Sequence, residues 1–145
     1  MNDLWKDGRK AAISLTFDDR MPSHLETVIP ALEARGFHGT FYLMTSREEK
    51  LHLFRPAQQN GHEIGNHSVR HICTGSTRSD PEHRGLESMS LEEMAEELDE
   101  SDRRMREVYS DVDEFSFGYP CYNTFVGAGM NRKSYVPLVA ERFAA

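Results

Sequence analysis

The chain of 145 residues is poor in cysteine, has no excess of basic residues and contains no long apolar run. Its 17 Lys and Arg are outnumbered by 24 Asp and Glu, which gives a formal net charge of −7. This balance disfavours nucleic acid as a partner, because phosphate binding requires clustered basic side chains. No apolar segment approaches the roughly 18 residues of a membrane-spanning helix, so we expect no membrane partner.

The N-terminal residues 1–7 contain no basic segment followed by an apolar core, so the chain displays no signal peptide. Two localisations stay open, the cytoplasm or export of a protein whose leader is absent from this sequence. The only cysteines are Cys73 and Cys121. They could pair, but two distant cysteines give no disulfide framework, and we expect free thiols.

The length suits one domain over residues 1–145. Apolar and polar segments alternate along it in a regular order. The predicted strands cover residues 11–17, 39–44, 62–65 and 114–117. The predicted helices cover residues 23–36, 48–59, 90–109 and 134–145, and residues 73–87 form a long surface loop. The alternation predicts a parallel sheet with helical crossovers, in which chemistry gathers at the C-terminal ends of the strands.

The long helix begins with a capping-box pattern at Ser90 and Glu93. Apolar residues recur on one of its faces. We expect the opposite face to be a solvated charged surface. Its charged residues are Glu92, Glu96, Glu97, Glu100, Asp102, Arg103 and Arg106.

Three polar clusters follow three of the predicted strands. The first is the pair Asp18 and Asp19, whose side chains point to different sides of the chain, so that one can face a metal and the other a water. An ordinary turn or helix cap is the alternative, since aspartate favours such places. The second is His67 with His71, whose spacing would place both imidazoles on one face if the segment is helical. The alternative is two unrelated surface histidines.

The third cluster follows the strand at residues 114–117. Pro120 fixes the exit of the chain, the ring of Tyr119 could form a wall, and a backbone N–H there could contact an oxyanion. A plain turn is the alternative. Together, two imidazoles and one carboxylate make a three-ligand set with an open position for water. A second carboxylate beside it is what a metal-assisted hydrolase needs as a general base.

These segments resemble the first three motifs of the polysaccharide deacetylases, carbohydrate esterase family four. The matching residues are Thr16-Phe17-Asp18-Asp19, the Asn-His-Ser-x-x-His run over 66–71, and Phe117-Gly118-Tyr119-Pro120. The resemblance implies a distorted (β/α) barrel. It also implies removal of acetyl groups from N-acetylated or O-acetylated carbohydrate, and a divalent metal. Zinc is the first candidate, with Co, Ni, Fe and Mn as alternatives.

Carried over position by position, the resemblance makes Asp18 the general base and Asp19, His67 and His71 the metal ligands. The backbone N–H of Cys121 falls where the family stabilises the oxyanion. Two further readings of the same residues stay open. One is a non-catalytic metal or sugar binder, and the other is a hydrolase of a small non-sugar amide.

Several positions depart from the family pattern. Arg20 replaces the glycine that usually follows the aspartate pair, and a long cation there could repel the metal or contact substrate. Gly118 stands at the position of an arginine that orients the base, and Cys121 stands at that of a tyrosine. No histidine follows His83 to serve as the general acid. Since a full barrel of this kind needs about 200–250 residues, we expect a partial barrel, incomplete at the C-terminus.

An incomplete parallel sheet exposes an edge of unpaired N–H and C=O groups. We therefore expect the chain to self-associate, or to cover that edge with another element. Sedimentation analysis tests this expectation. A monodisperse monomer whose last strand is unshielded would contradict it.

Overall fold

A computed structural model describes residues 8–75 and 85–144. His83 and most of the predicted loop 73–87 therefore lie outside the described residues, as do residues 1–7. The central feature is a three-stranded parallel sheet with the order β1-β2-β3. Its strands are β1 (Thr16–Phe17), β2 (Thr40–Leu43) and β3 (Glu63–Asn66). The predicted parallel sheet with helical crossovers is thus confirmed, and within the described residues it does not close into a barrel.

Helical segments connect the strands. A π-helix (His24–Val28) runs into α1 (Ile29–Glu33), and a 3-10 helix (Glu48–Phe54) runs into α2 (Arg55–Gln59). The long helix α3 covers Leu91–Val108, and α4 covers Val136–Ala140. Short 3-10 turns lie at Leu86–Ser88, Pro120–Tyr122 and Gly129–Asn131. No helix among the described residues has both the length and the apolar character that crossing a bilayer requires.

The first crossover begins without a side-chain cap. The predicted helix starts at Ser23, a residue type that often caps a helix, but the Ser23 side chain makes no capping hydrogen bond here. Pro30 lies in the first turn of α1, where a missing N–H is tolerated, and the π-helical turns before it accommodate the ring. The segment ends at Gly36, whose φ of 67° is readily adopted by glycine.

Helix α3 packs its apolar side against the sheet. The capping box is confirmed, because Ser90 N donates to Glu93 Oε2 at 2.8 Å and Glu93 N donates to Ser90 Oγ at 3.1 Å. The core joins residues of this helix to those of β2, β3 and the 3-10 helix before α2. Its members with little or no exposure include Phe41, Leu43, Leu51, Phe54, Ile64, Leu98, Met105, Tyr109 and Phe115.

Two predicted strands are shorter than expected. Only Thr16 and Phe17 of residues 11–17 pair with β2, and Ile13, in the part of this segment that does not pair, is 79% exposed. Residues 114–117 contribute single parallel bridges, from Phe117 to Asn66 and from Ser116 to Ala144. The chain's own C-terminal segment thus pairs beside Ser116 and covers part of that edge. The hairpin of β4 (Phe125–Val126) and β5 (Lys133–Ser134) was not predicted.

The expectation of free thiols is wrong. Cys73 and Cys121 form a disulfide with a Cα–Cα distance of 5.8 Å across a sequence separation of 48 residues. The two residues meet because each follows a segment that ends at the same edge of the sheet, β3 for Cys73 and the bridge at Phe117 for Cys121. Their distance in the sequence gave no sign of this approach.

We expect reduction of this disulfide to lower the free energy of unfolding by about 2–5 kcal/mol, since the cross-link restricts the unfolded chain. Chemical denaturation with and without a reducing agent measures the effect. The double variant C73A/C121A is the control and should not respond to the reductant. Equal stability of oxidised and reduced wild-type protein would contradict the prediction.

Candidate metal centre

Asp18 and Asp19 lie in the tight turn after β1. Asp19 and Arg20 both have left-handed backbone conformations, with φ of 68° and 50°. Such a conformation is uncommon for residues other than glycine, asparagine and aspartate. This geometry explains why a glycine would suit position 20. The Arg20 guanidinium is bound elsewhere, because its Nη1 donates to the Arg47 carbonyl at 2.8 Å.

His67 directly follows β3 and is almost completely buried. Its Nδ1 lies 2.8 Å from the carbonyl oxygen of Gly118. A hydrogen bond of this kind fixes the ring orientation and leaves Nε2 free as a ligand, as is usual for histidines that bind metals.

The segment between His67 and His71 is not helical, so the condition under which their spacing would place both rings on one face is not met. It is a turn in which Ser68 and His71 have φ of 62° and 52°. The two rings nevertheless lie close together, with centroids 4.8 Å apart. The turn, and not a helical repeat, produces the proximity that the four-residue spacing suggested.

The turn after β1 and the turn after β3 bring three donor groups together. Asp19 Oδ1 lies 3.1 Å from His71 Nε2 and 3.5 Å from His67 Nε2. One donor atom from each residue lies within 4.8 Å of the other two. Two imidazole nitrogens and a carboxylate oxygen are a donor set that suits zinc and related first-row metals. The residues present therefore fit such an ion.

Burial lowers the pKa of His67, and the Gly118 carbonyl opposes part of this effect. The lowered pKa favours the neutral imidazole, which is the form that binds a metal. Desolvation likewise lowers the pKa of His24, which packs against Phe17 and Phe41.

Asp18 is exposed and is near enough for its charge to raise the pKa of both His24 and His67. Its carboxylate is therefore beside the three-donor group without belonging to it. In the described part of the chain, no side-chain hydrogen bond holds this carboxylate. The family pattern has at position 118 an arginine that orients this carboxylate, and this chain has Gly118 there.

Gly118 lies where a side chain has no room. A Cβ atom there would be 2.7 Å from Tyr42 Cγ and 3.1 Å from His67 Nδ1. The ring of Tyr42 also covers Gly65, where a Cβ would approach within 2.5 Å of Tyr42 Cδ1. Tyr42 thus occupies the space that an arginine side chain at position 118 would enter.

The third predicted cluster lies beside the histidines. Cys121 has a φ of 54° in the 3-10 turn, and its sulfur lies in one group with Cys73 Sγ and a ring nitrogen of His71. Tyr119 packs edge-on against Phe117, with ring centroids 5.3 Å apart. The wall predicted for Tyr119 and the oxyanion contact predicted for the Cys121 N–H stay predictions.

Sequence reasoning missed a buried polar network that contacts the turn over residues 67–71, the histidine turn. Glu97 was assigned to the solvated face of α3, but it is only 5% exposed and accepts hydrogen bonds from the turn. Ser101, one turn further on, donates to Asn66 Oδ1 at 2.7 Å. A signal was present, since Glu97 and Ser101 fall within the apolar stripe of Met94, Leu98 and Met105.

A family model described as "Polysaccharide deacetylase" matches residues 6–132 of the chain. The chain belongs to the polysaccharide deacetylase family. This family model spans the aspartate pair, the histidine turn and the Cys121 turn.

Solved deacetylase structures share the fold. Streptococcus pyogenes deacetylase PplD, determined in complex with acetate, is 18% identical and has a TM-score of 0.68; the match covers 92% of this chain and 53% of that one. Peptidoglycan deacetylase PdaC from Bacillus subtilis is 21% identical and has a TM-score of 0.61, with coverages of 82% and 52%. The chain thus spans about half the length of these deacetylases.

A curated relative, a gellan lyase from a Bacillus species, is 36% identical over 80 residues. The match covers 55% of this chain and 3% of the gellan lyase. The similarity is therefore confined to a small part of that protein.

The lowered histidine pKa values predict an acid-sensitive metal-free protein. Below about pH 6.5 the unfolded chain protonates His24 and His67 at their ordinary pKa, whereas the folded chain resists protonation. The unfolded state then binds more protons, so the free energy of unfolding falls as the pH falls. Urea denaturation at several pH values measures the slope. The variant H24F should show a shallower slope, and a slope of opposite sign in the wild type would contradict the prediction.

Proposed function

We propose that this chain forms part of the active site of a metal-dependent deacetylase that removes acetyl groups from N-acetylated or O-acetylated carbohydrate. The observation that carries the proposal is the convergence of Asp19, His67 and His71 on one point, with Asp18 adjacent. Membership of the polysaccharide deacetylase family supports the substrate class.

Asp19 Oδ1 and the Nε2 atoms of His67 and His71 would hold the metal. When bound, the metal supplies a Lewis acid that polarises the acyl carbonyl and makes water more acidic. The Gly118 carbonyl keeps the His67 ring oriented for this task.

Asp18 acts as the general base. Its exposed carboxylate can meet a water molecule at the mouth of the site and take the proton as the water attacks the acyl carbon. The backbone N–H of Cys121 donates to the oxygen on which negative charge develops, and the ring of Tyr119 limits the acyl pocket on one side. Breaking the bond between the acyl carbon and the leaving nitrogen or oxygen yields acetate, and Asp18 carries the proton that the leaving group requires.

A second candidate function is non-catalytic binding of a metal or a sugar. The observation that favours it is the steric exclusion of a side chain at position 118, which leaves Asp18 without the guanidinium that the family pattern places there. Acetate release from a chito-oligomer and from a simple acetyl ester separates the candidates. Binding without turnover would favour this second function, and turnover of a small non-sugar amide alone would point to a different substrate class.

The disulfide bears on localisation. Disulfides persist mainly in oxidising compartments. Of the two localisations that the sequence leaves open, we propose export, with the Cys73–Cys121 bond formed outside the cytoplasm.

Metal analysis of the purified chain tests the ligand set. We expect about one divalent metal per chain, and loss of this stoichiometric binding in D19N, H67A and H71A, because each variant removes one donor. H52A removes an exposed histidine away from the site and is the control. Retention of the metal by the three ligand variants would contradict the proposal.

Activity of D18N tests the general base. We expect this variant to keep the metal and to lose about 10²–10⁴-fold in turnover, because a positioned base contributes that much. The assay is acetate release at saturating substrate. Unchanged turnover, or loss of the metal, would exclude Asp18 as the base.

A further inference from the structure

The turn that carries His67 and His71 needs an external support. Ser68 and His71 both have left-handed backbone conformations, which persist only where surrounding contacts impose them. The intervening residues Val69 and Arg70 lie outside helices and strands, so their N–H groups require partners from elsewhere in the fold.

Glu97 supplies those partners. Its Oε1 accepts hydrogen bonds from Val69 N at 3.1 Å and from Arg70 N at 2.7 Å. Its Oε2 accepts a bond from Arg70 Nε at 2.7 Å. The carboxylate therefore binds the middle of the turn, between the two left-handed residues.

We propose that Glu97 is a positioning residue that sets the separation and orientation of the His67 and His71 imidazoles for metal binding. The inference rests on the proposed function in taking these two histidines as ligands. It adds a residue on a different element, which the ligand pattern does not contain.

The main-chain bonds carry this role and the Arg70 side chain does not. The Glu97 side chain is 4% exposed, whereas that of Arg70 is 61% exposed. An exposed guanidinium is screened by water, so the ion pair contributes little. Val69 is buried, so its N–H group has no ready substitute in water and depends on the Glu97 carboxylate, which also accepts from the Arg70 N–H group.

Helix α3 holds both ends of the histidine turn. Ser101 Oγ donates to Asn66 Oδ1 at 2.7 Å, and Asn66 Oδ1 also accepts from Ser68 N at 2.8 Å. This pair secures the chain at His67, and Glu97 secures it just before His71. The neighbouring Leu98 is fully buried, so the helix is a rigid support.

A matched pair of variants on α3 tests the proposal. E97M keeps most of the length of the side chain but removes both oxygen acceptors, so the Val69 and Arg70 N–H groups lose their partner. E96M makes the same change at an exposed neighbouring position. Zinc affinity is measured by calorimetric titration of the whole chain, and the ligand field by the absorption spectrum of the Co²⁺ form.

We expect E97M to bind zinc about 10–100-fold more weakly, as for loss of other groups that orient metal ligands, and to alter the Co²⁺ spectrum. E96M should match the wild type. R70M should weaken zinc binding by less than about fivefold. If E97M does not fold, E97D replaces it, because it keeps the charge and shortens the reach, and the same comparisons apply.

The outcomes separate this inference from the proposed function. Wild-type zinc affinity and an unchanged Co²⁺ spectrum in E97M would overturn the positioning role and leave the deacetylase proposal intact, even if E97M were less stable. If the wild type binds no metal, the proposed function fails. The imidazole NMR signals of the metal-free proteins then decide: shifted His67 and His71 signals in E97M support positioning, and unchanged signals overturn it.

Discussion

The parallel register of β1, β2 and β3 is the constraint on which the rest of the site depends. Phe17 pairs with Phe41 and Leu43 pairs with Asn66, so the strands deliver their following residues to one edge of the sheet. Asp19 and His67 come from elements 48 positions apart and still approach within 3.5 Å. The sheet is short, however, and β1 has only two residues. Strands of this length define where the turns begin but do not determine how the turns fold.

The conformation of the turns is determined by side chains of α3 and by the disulfide. Glu97 binds the histidine turn from α3, and the disulfide connects Cys73, two residues beyond His71, to the turn at Cys121. His71 therefore lies between a polar support and a covalent one. This arrangement suits a chain with a lean apolar fraction of 38%. Because a small core limits the stabilisation that burial can supply, satisfied buried polar groups and a cross-link carry part of the constraint on the site.

Much of this arrangement could be predicted from local patterns. The alternation of segments predicted the parallel sheet, and the capping box located the start of α3, because both depend on residues near one another in sequence. The His67–His71 spacing indicated proximity but suggested the wrong backbone, since the same spacing occurs in a turn with left-handed residues. The disulfide and Glu97 were missed for a common reason. Both act across long sequence separations, and only the folded chain shows that Cys121 meets Cys73 and that Glu97 faces Val69.

The departures from the family pattern acquire a physical meaning in this packing. An arginine cannot simply be restored at position 118, because the ring of Tyr42 already fills the space above Gly118 and Gly65. Among the described residues, Asp18 is exposed, and its charge acts on the neighbouring His24 and His67. The segment of His67 and His71, in contrast, is held by hydrogen bonds to the Gly118 carbonyl, to Asn66 Oδ1 and to Glu97. The two imidazoles are thus supported from several sides, whereas the Asp18 carboxylate accepts no side-chain hydrogen bond among the described residues.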